Sequence, residues 1–351
     1  MRAIGLSTQV WNNNWRCGLL LAGFPLLLAL LLFGLSLMAA DGGGGFAKSW
    51  YLAVRQFPVF LLWGGGAAAI WFSIAWLGHQ RMVDVATGTM PVTREAEPDL
   101  WNSLENLCIS RGETMPRLGI IETEALNAFA SGLKRSAGKV TVTRGLLGAL
   151  NPAELRAVLA HELAHIRNGD ARLGVIAAIF AGILSLVAEV LLRGRFRMSL
   201  VRANGGNNRR GGGLAMMLGI VLILLAAGLG TALRFALSRN REFQADAMAV
   251  QIIGEPDALI TALRRIEGHS SMPEVPAQIR AMFFDDAALS LGARFWATHP
   301  PIEERVAALV RFAGGRDPGP TPPPEPVAEE PEAAAETPPG PWGPGPWGRP
   351  D

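Results

Sequence analysis

The sequence predicts a mainly α-helical fold with a small β-sheet, anchored in a membrane, its polar part split by an apolar helical hairpin. Three observations lead there. Hydrophobic residues make up 50% of the chain and charged residues only 18%, against roughly 25% charged in an average soluble domain. The apolar residues are gathered in four blocks, 18–40, 57–77, 173–192 and 211–233. Between the blocks most of the polar sequence has helical spacing, and two short stretches have strand character.

Gly18–Ala40, Phe57–Leu77 and Gly211–Leu233 contain no charged residue, and Leu173–Leu192 contains only Glu189. About 20 apolar residues at 1.5 Å rise cross a bilayer core, so each block is a candidate transmembrane helix. Trp50, Tyr51, Trp63, Trp71 and Trp76 flank or enter the second block, as interfacial aromatics do. The first block outruns the roughly 7–15 apolar residues of a secretory signal, so an uncleaved anchor is expected. Residues 1–78 are thus read as two N-terminal transmembrane helices and 173–233 as an apolar hairpin. Cys17 and Cys108 are the only cysteines, which excludes a disulfide framework. A formal charge of +2 gives no electrostatic basis for binding nucleic acid.

Two polar segments remain, 79–172 and 234–313, read as the two parts of one domain. In the first, Leu100, Leu104 and Leu107 give 98–111 helical spacing, and 117–121 and 139–143 are predicted strands, with turn residues at 132–138 between them. Asn151 is placed as an N-cap, Pro152 at the first helical position and Glu154 for a capping box. Asn168-Gly169 supplies a stop, so a helix is predicted over 152–168 with Leu155, Val158, Leu159 and Ile166 buried. From residue 314 onward Pro, Gly, Glu and Ala dominate, with Gly-Pro-Trp-Gly repeated at 340–343 and 345–348, and this tail is predicted to be disordered.

The helix over 152–168 carries His161-Glu162-Leu163-Ala164-His165. Histidines four apart lie on one helical face, so both imidazoles can reach a single ion. Zinc takes His nitrogen at about 2.0–2.1 Å and, in catalytic sites, keeps a position for water. Glu162 lies beside that face, where it can act as general base. A third ligand is needed, and two acids compete: Glu189, 24 positions after His165, and Glu242, which shares a helical face with Asp246. The spacing of Glu242 and Asp246 suits a ligand plus a carboxylate that orients a ligating His. His299, before Pro300-Pro301, is read either as an oxyanion stabiliser or as a residue packed at a helix entrance. His79 and His269 are read as a juxtamembrane and a loop residue.

Taken together, Asn127-Ala128-Phe129-Ala130, His161-Glu-x-x-His165, Arg241-Glu-x-x-Ala-Asp246 and His299-Pro-x-x-x-x-Arg305 resemble the HtpX-type membrane metalloproteases, relatives of the CAAX prenyl proteases among the gluzincins. The likeness runs from about Trp50 to Phe312. It implies a zincin-type metalloprotease domain holding one Zn2+ per chain, with Glu242 as third ligand and Asp246 in the outer shell. It also implies that Asn127, Ala128 and Phe129 border the cleft and hold an extended substrate by β-augmentation.

The expected function is endopeptidase action on misfolded or surplus membrane proteins, from the cell's inner membrane, with the catalytic domain in the cytoplasm. Rival readings are CAAX-type processing, site-2-type intramembrane proteolysis and a catalytically silent zinc-binding scaffold. Site-2-type chemistry needs the motif embedded in apolar sequence, whereas Glu154, Arg156, Arg167, Asn168 and Asp170 surround it. One feature strains the topology: Arg193, Arg195, Arg197, Arg202, Arg209 and Arg210 crowd the hairpin's connection. If both later blocks cross, that basic loop is exported against the positive-inside tendency; the alternatives are a hairpin lying partly against the membrane, arginines tolerated outside, or an inverted orientation, and a cytoplasmic domain without two full later spans is favoured.

Overall fold

A computed structural model describes residues 6–40, 45–180, 182–183, 213–236, 239–280, 282–285 and 300–319. Glu189, His299, the arginine-rich connection and the tail beyond 319 lie outside the described residues.

The first two apolar blocks form helices α1 (Leu6–Ala39) and α2 (Gly45–Thr87). Both are long and apolar enough to cross a membrane, by length and composition. Helix α2 continues beyond the apolar block because nothing in 78–87 breaks it, and it stops at Gly88, whose φ is 69°. Of the later blocks, 170–180 forms the helix here called α6, and Gly213–Ala236 forms α7, apolar only over the shorter stretch Leu214–Gly230.

These helices pack together. A Cβ on Gly34 would lie 2.7 Å from the Gly219 carbonyl oxygen, and one on Gly219 would lie 2.6 Å from that of Gly34. The α1 and α7 backbones therefore touch at a glycine pair, the arrangement that lets apolar helices approach without a hydrophobic drive between them. Ser36 Oγ donates to the Ala53 carbonyl at 2.7 Å, joining α1 to α2. Phe180 of α6 stacks on Phe24 of α1, with ring centroids 4.2 Å apart, and lies 5.3 Å from Phe72 of α2.

The polar part opens with β1 (Met90–Pro91) and α3 (Pro98–Arg111), followed by β2 (Arg117–Ile121), β3 (Ala128–Ser131) and β4 (Lys139–Thr143). The strands form one sheet in the order β1-β2-β4-β3, with β2 and β4 parallel and both outer pairings antiparallel. Short α4 (Arg144–Ala149) leads to α5 (Pro152–Asn168), then come α6 and α7, and α8 (Arg239–Ile253), α9 (Pro256–Ile266), α10 (Ala277–Arg280) and α11 (Ile302–Ala313) complete the described elements.

One sheet face, with Leu118, Ile120, Ala128, Ala130, Val140 and Val142, shares a core with Val158 and Leu159 of α5. The other face is also covered, because Ile121 and Phe129 pack with Val83 of α2 and with Met272 and Phe283. This second cover explains why Lys139, Thr141 and Thr143 are buried, where alternation suggested a polar outer face.

Candidate metal centre

Local sequence chemistry fixes α5. Asn151 Oδ1 accepts from the amides of Ala153 and Glu154, and Glu154 Oε2 accepts from the Asn151 amide at 3.0 Å, a complete capping box. At the other end Gly169 takes the left-handed conformation, φ 78°, that an L side chain resists. That turn brings Asp170 back toward the helix it has just left, with Asp170 Oδ2 3.1 Å from His165 Nδ1.

His161 and His165 point their Nε2 atoms at one another, 3.0 Å apart, with the rings nearly perpendicular at 84°. Glu242 enters from the first turn of α8, with Oε2 3.5 Å from His161 Nε2 and Oε1 3.7 Å from His165 Nε2. The three donor atoms lie within 4.8 Å of one another. Ligand atoms placed tetrahedrally at 2.0–2.1 Å from one ion stand about 3.3 Å apart, so the geometry fits a shared metal.

A carboxylate backs each imidazole. Asp246 Oδ1 lies 2.9 Å from His161 Nδ1, and Asp170 does the same for His165. By accepting the Nδ1–H, each fixes the tautomer whose Nε2 lone pair is free for the ion. Asp246 is itself held by Arg305 of α11, through Nη2 at 2.6 Å and Nε at 2.9 Å. Arg305 is buried, its Nη1 donates to the Phe284 carbonyl at 3.1 Å, and its guanidinium lies 4.6 Å over the Phe284 ring. Phe284 in turn meets the His161 ring edge-on at 4.8 Å.

The electrostatics follow from burial and these contacts. Burial disfavours the His165 imidazolium, but the carboxylates of Glu242 and Asp170 outweigh it and push His165 up to about 10 in the metal-free protein. Burial would raise Asp246, but Arg305 beside it holds its carboxyl below the usual range. For Glu162 the balance falls the other way: burial raises its pKa and outweighs the lowering by His161, His165 and Arg305. Both of its carboxylate oxygens are buried without a hydrogen-bond partner among the described residues. A cleft opens beside His165, walled by Ala130, Ala171, Gly174, Arg241 and Met282.

The structure therefore brings His161, His165, Glu162, Glu242 and Asp246 to one point. Asn127, Ala128 and Phe129, expected to border the cleft, also make contacts within the protein. Asn127 is buried, its Nδ2 donating to the carbonyls of Ser270 and Asp285 and its Oδ1 accepting from the Ala128 and Phe284 amides. The Ala128 carbonyl accepts from the Phe284 amide at 2.8 Å, and Phe129 forms an antiparallel bridge with Phe283. All three are engaged internally, and Ala130 is the β3 residue that faces the cleft.

Two site residues escaped the sequence reading. The motif His299-Pro-x-x-x-x-Arg305 by itself assigns Arg305 no role, and Asp170 is in the sequence one more polar residue beside the helix. The signal for Asp170 was its place directly after the left-handed Gly169.

Comparison with known proteins gives the family. Residues 97–313 match the model of Peptidase family M48. A curated protein of Bacteroides fragilis named Protease HtpX homolog is 36% identical over 329 residues, covering 89% of this chain and 100% of its own length. A Listeria monocytogenes protein of the same name is 37% identical over 229 residues, covering 62% of this chain and 74% of its own. Among solved structures, the crystal structure of S. mikatae Ste24p aligns with 86% of this chain and 66% of that chain, at 20% identity and a TM-score of 0.42. The chain belongs to peptidase family M48 and is an HtpX-like metalloprotease.

Proposed function

We propose that the chain is a membrane-anchored, zinc-dependent endopeptidase that hydrolyses misfolded or surplus membrane proteins from the cytoplasmic side of the inner membrane. His161, His165 and Glu242 hold one Zn2+ per chain, since two imidazoles and a carboxylate suit that ion best. Bound there, the ion would supply Lewis acidity for amide hydrolysis. The observation that carries the reading is Glu162, a buried carboxylate whose oxygens have no hydrogen-bond partner among the described residues, beside three converging donors.

Each residue has a definable task. Glu162 takes the proton of the attacking water and returns it to the departing amine, a role matched by a carboxyl raised by burial. Asp246 and Asp170 keep the two imidazoles oriented through the whole cycle. The substrate lies extended along the cleft beside Ala130. His299 is proposed to stabilise the oxyanion, and His299→Ala then lowers kcat while leaving metal content unchanged.

The deciding experiment pairs metal content with casein cleavage on detergent-purified protein. Glu162→Gln should keep about one zinc and lose cleavage by roughly 10²-fold or more. Glu242→Ala should lose both. Retained zinc and activity in Glu242→Ala would move the third ligand to Glu189. Metal without cleavage in the unaltered chain would leave a zinc-binding scaffold.

A further inference from the structure

We infer that the catalytic cleft is fixed within about two to three helical turns of the lipid boundary, and that its preferred substrates are juxtamembrane stretches of proteins in the same bilayer. The inference rests on the membrane-anchored endopeptidase reading above and adds a distance rule to it.

The first tether runs through α2. Its uncharged run ends at Leu77, which is 85% exposed. One turn later Gln80 Nε2 reaches Ser131 Oγ at 3.1 Å and Asp84 Oδ1 at 3.1 Å. Asp84 in turn pairs with Lys139 Nζ at 2.8 Å, and the Lys139 side chain is only 5% exposed. Ser131 and Lys139 are register partners in β3 and β4. At 1.5 Å per residue, Gln80 and Asp84 stand about 5 and 10 Å beyond Leu77. The sequence makes room for this contact, because a Cβ on Gly119 would meet Lys139 Cε at 2.6 Å. Ser131 directly follows Ala130, the wall of the cleft.

The second tether runs through the metal helix itself. Asp170, the partner of His165, begins α6, and three residues later Leu173 is buried in the apolar cluster of Phe24, Leu28 and Leu31 from α1. Leu133, two residues past β3, is buried in the same cluster. Only eight positions separate His165 from Leu173, with the left-handed Gly169 turning the chain between them. Two separate routes, one through β3 and one through α6, thus tie the centre closely to the apolar helices. A chain leaving the bilayer in extended form covers 12–15 Å in about four residues.

A scissile bond closer than that to its own membrane span cannot reach the centre. A much more distant one reaches it as a loose tether, and its effective concentration falls as roughly the −3/2 power of linker length. Preference should therefore peak close to the span and decline beyond it.

The test uses the full chain in phosphatidylethanolamine–phosphatidylglycerol vesicles. Its substrates are single-span proteins bearing a casein-derived cleavable segment after flexible linkers of about 2, 8, 16 and 40 residues. Casein added in solution reports the endopeptidase reading independently, and Glu162→Gln provides the blank for both. The expected result is little cutting at the shortest linker, a maximum near 8, and about a tenfold fall by 40. Equal cutting at every length, with casein still cleaved, overturns the distance rule and leaves the endopeptidase reading intact. No cutting of either substrate overturns both.

Discussion

Arg305 donates two hydrogen bonds to Asp246, at 2.6 and 2.9 Å, and through Asp246 it joins α11 to His161 on α5. Both side chains are almost fully buried. Removing one charge of such a pair leaves the other without compensation and costs about 3–5 kcal/mol. Arg305→Ala should therefore lower thermal stability sharply, while Arg305→Lys keeps the charge, loses the forked geometry and falls between. Equal melting temperatures for the unaltered chain and Arg305→Ala would show the pair to be idle.

Replacing Asp246 or Asp170 by Asn keeps each side chain's size and removes its charge. Loss of a carboxylate that orients a ligating His commonly costs 10–100-fold in metal affinity. Competition against a zinc-binding dye should show that loss for both variants, in protein that still gives a folded circular-dichroism spectrum. Unchanged affinity in Asp170→Asn would mean that His165 is oriented by packing alone.

Metal affinity should also depend on pH in a definite direction. His165 in the metal-free protein is pushed up to about 10, above its usual value near 6.5. The raised value means that the protonated ring stabilises the metal-free fold fully below about 6.5 and that this contribution fades as pH rises toward 10. Binding must expel that proton. The apparent dissociation constant should then weaken by about tenfold for each unit of pH decrease between roughly 8.5 and 6.5. A flat dependence, measured in matched ionic strength, would contradict proton displacement.

The glycine contact between α1 and α7 gives a prediction away from the metal. Gly219→Leu forces a side chain into the Gly34 carbonyl and Met38, whose Cγ would lie 2.7 Å from the first added carbon. Overpacking of this kind costs about 1–3 kcal/mol. The variant should melt earlier in detergent yet bind zinc normally, since no ligand sits on either helix. Thermal unfolding and metal content measured on one preparation separate the two effects.

Structure that is decided locally is legible in the sequence. Helix α5 begins at Pro152 and ends at Asn168 as expected, because the Asn151–Glu154 box and Gly169 specify both ends within a few residues. The strands at 117–121 and 139–143 were likewise legible, since each is a short run of β-formers. Strand β3 was not, because Ala128–Ser131 is buried on both faces and shows no alternation. Nor was the fate of Lys139, whose burial depends on Asp84, 55 positions away on α2. The proposed ligand pair, His161 and His165, announces itself by helical spacing, whereas Arg305 lies 59 positions from the carboxylate it holds. Roles that depend on such distant partners become visible only when the chain is folded.

The shared burial of Leu133, Leu173 and Phe24 bears on how the enzyme can be handled. A fragment beginning near residue 79 would keep all three metal donors but bare the greasy footing directly beneath their helix. Such exposed apolar area drives self-association, so the shortened protein is expected in inclusion bodies. Proteolytic shaving of the anchor should precipitate the catalytic part instead of releasing it, and in this enzyme membrane attachment and foldability are the same property.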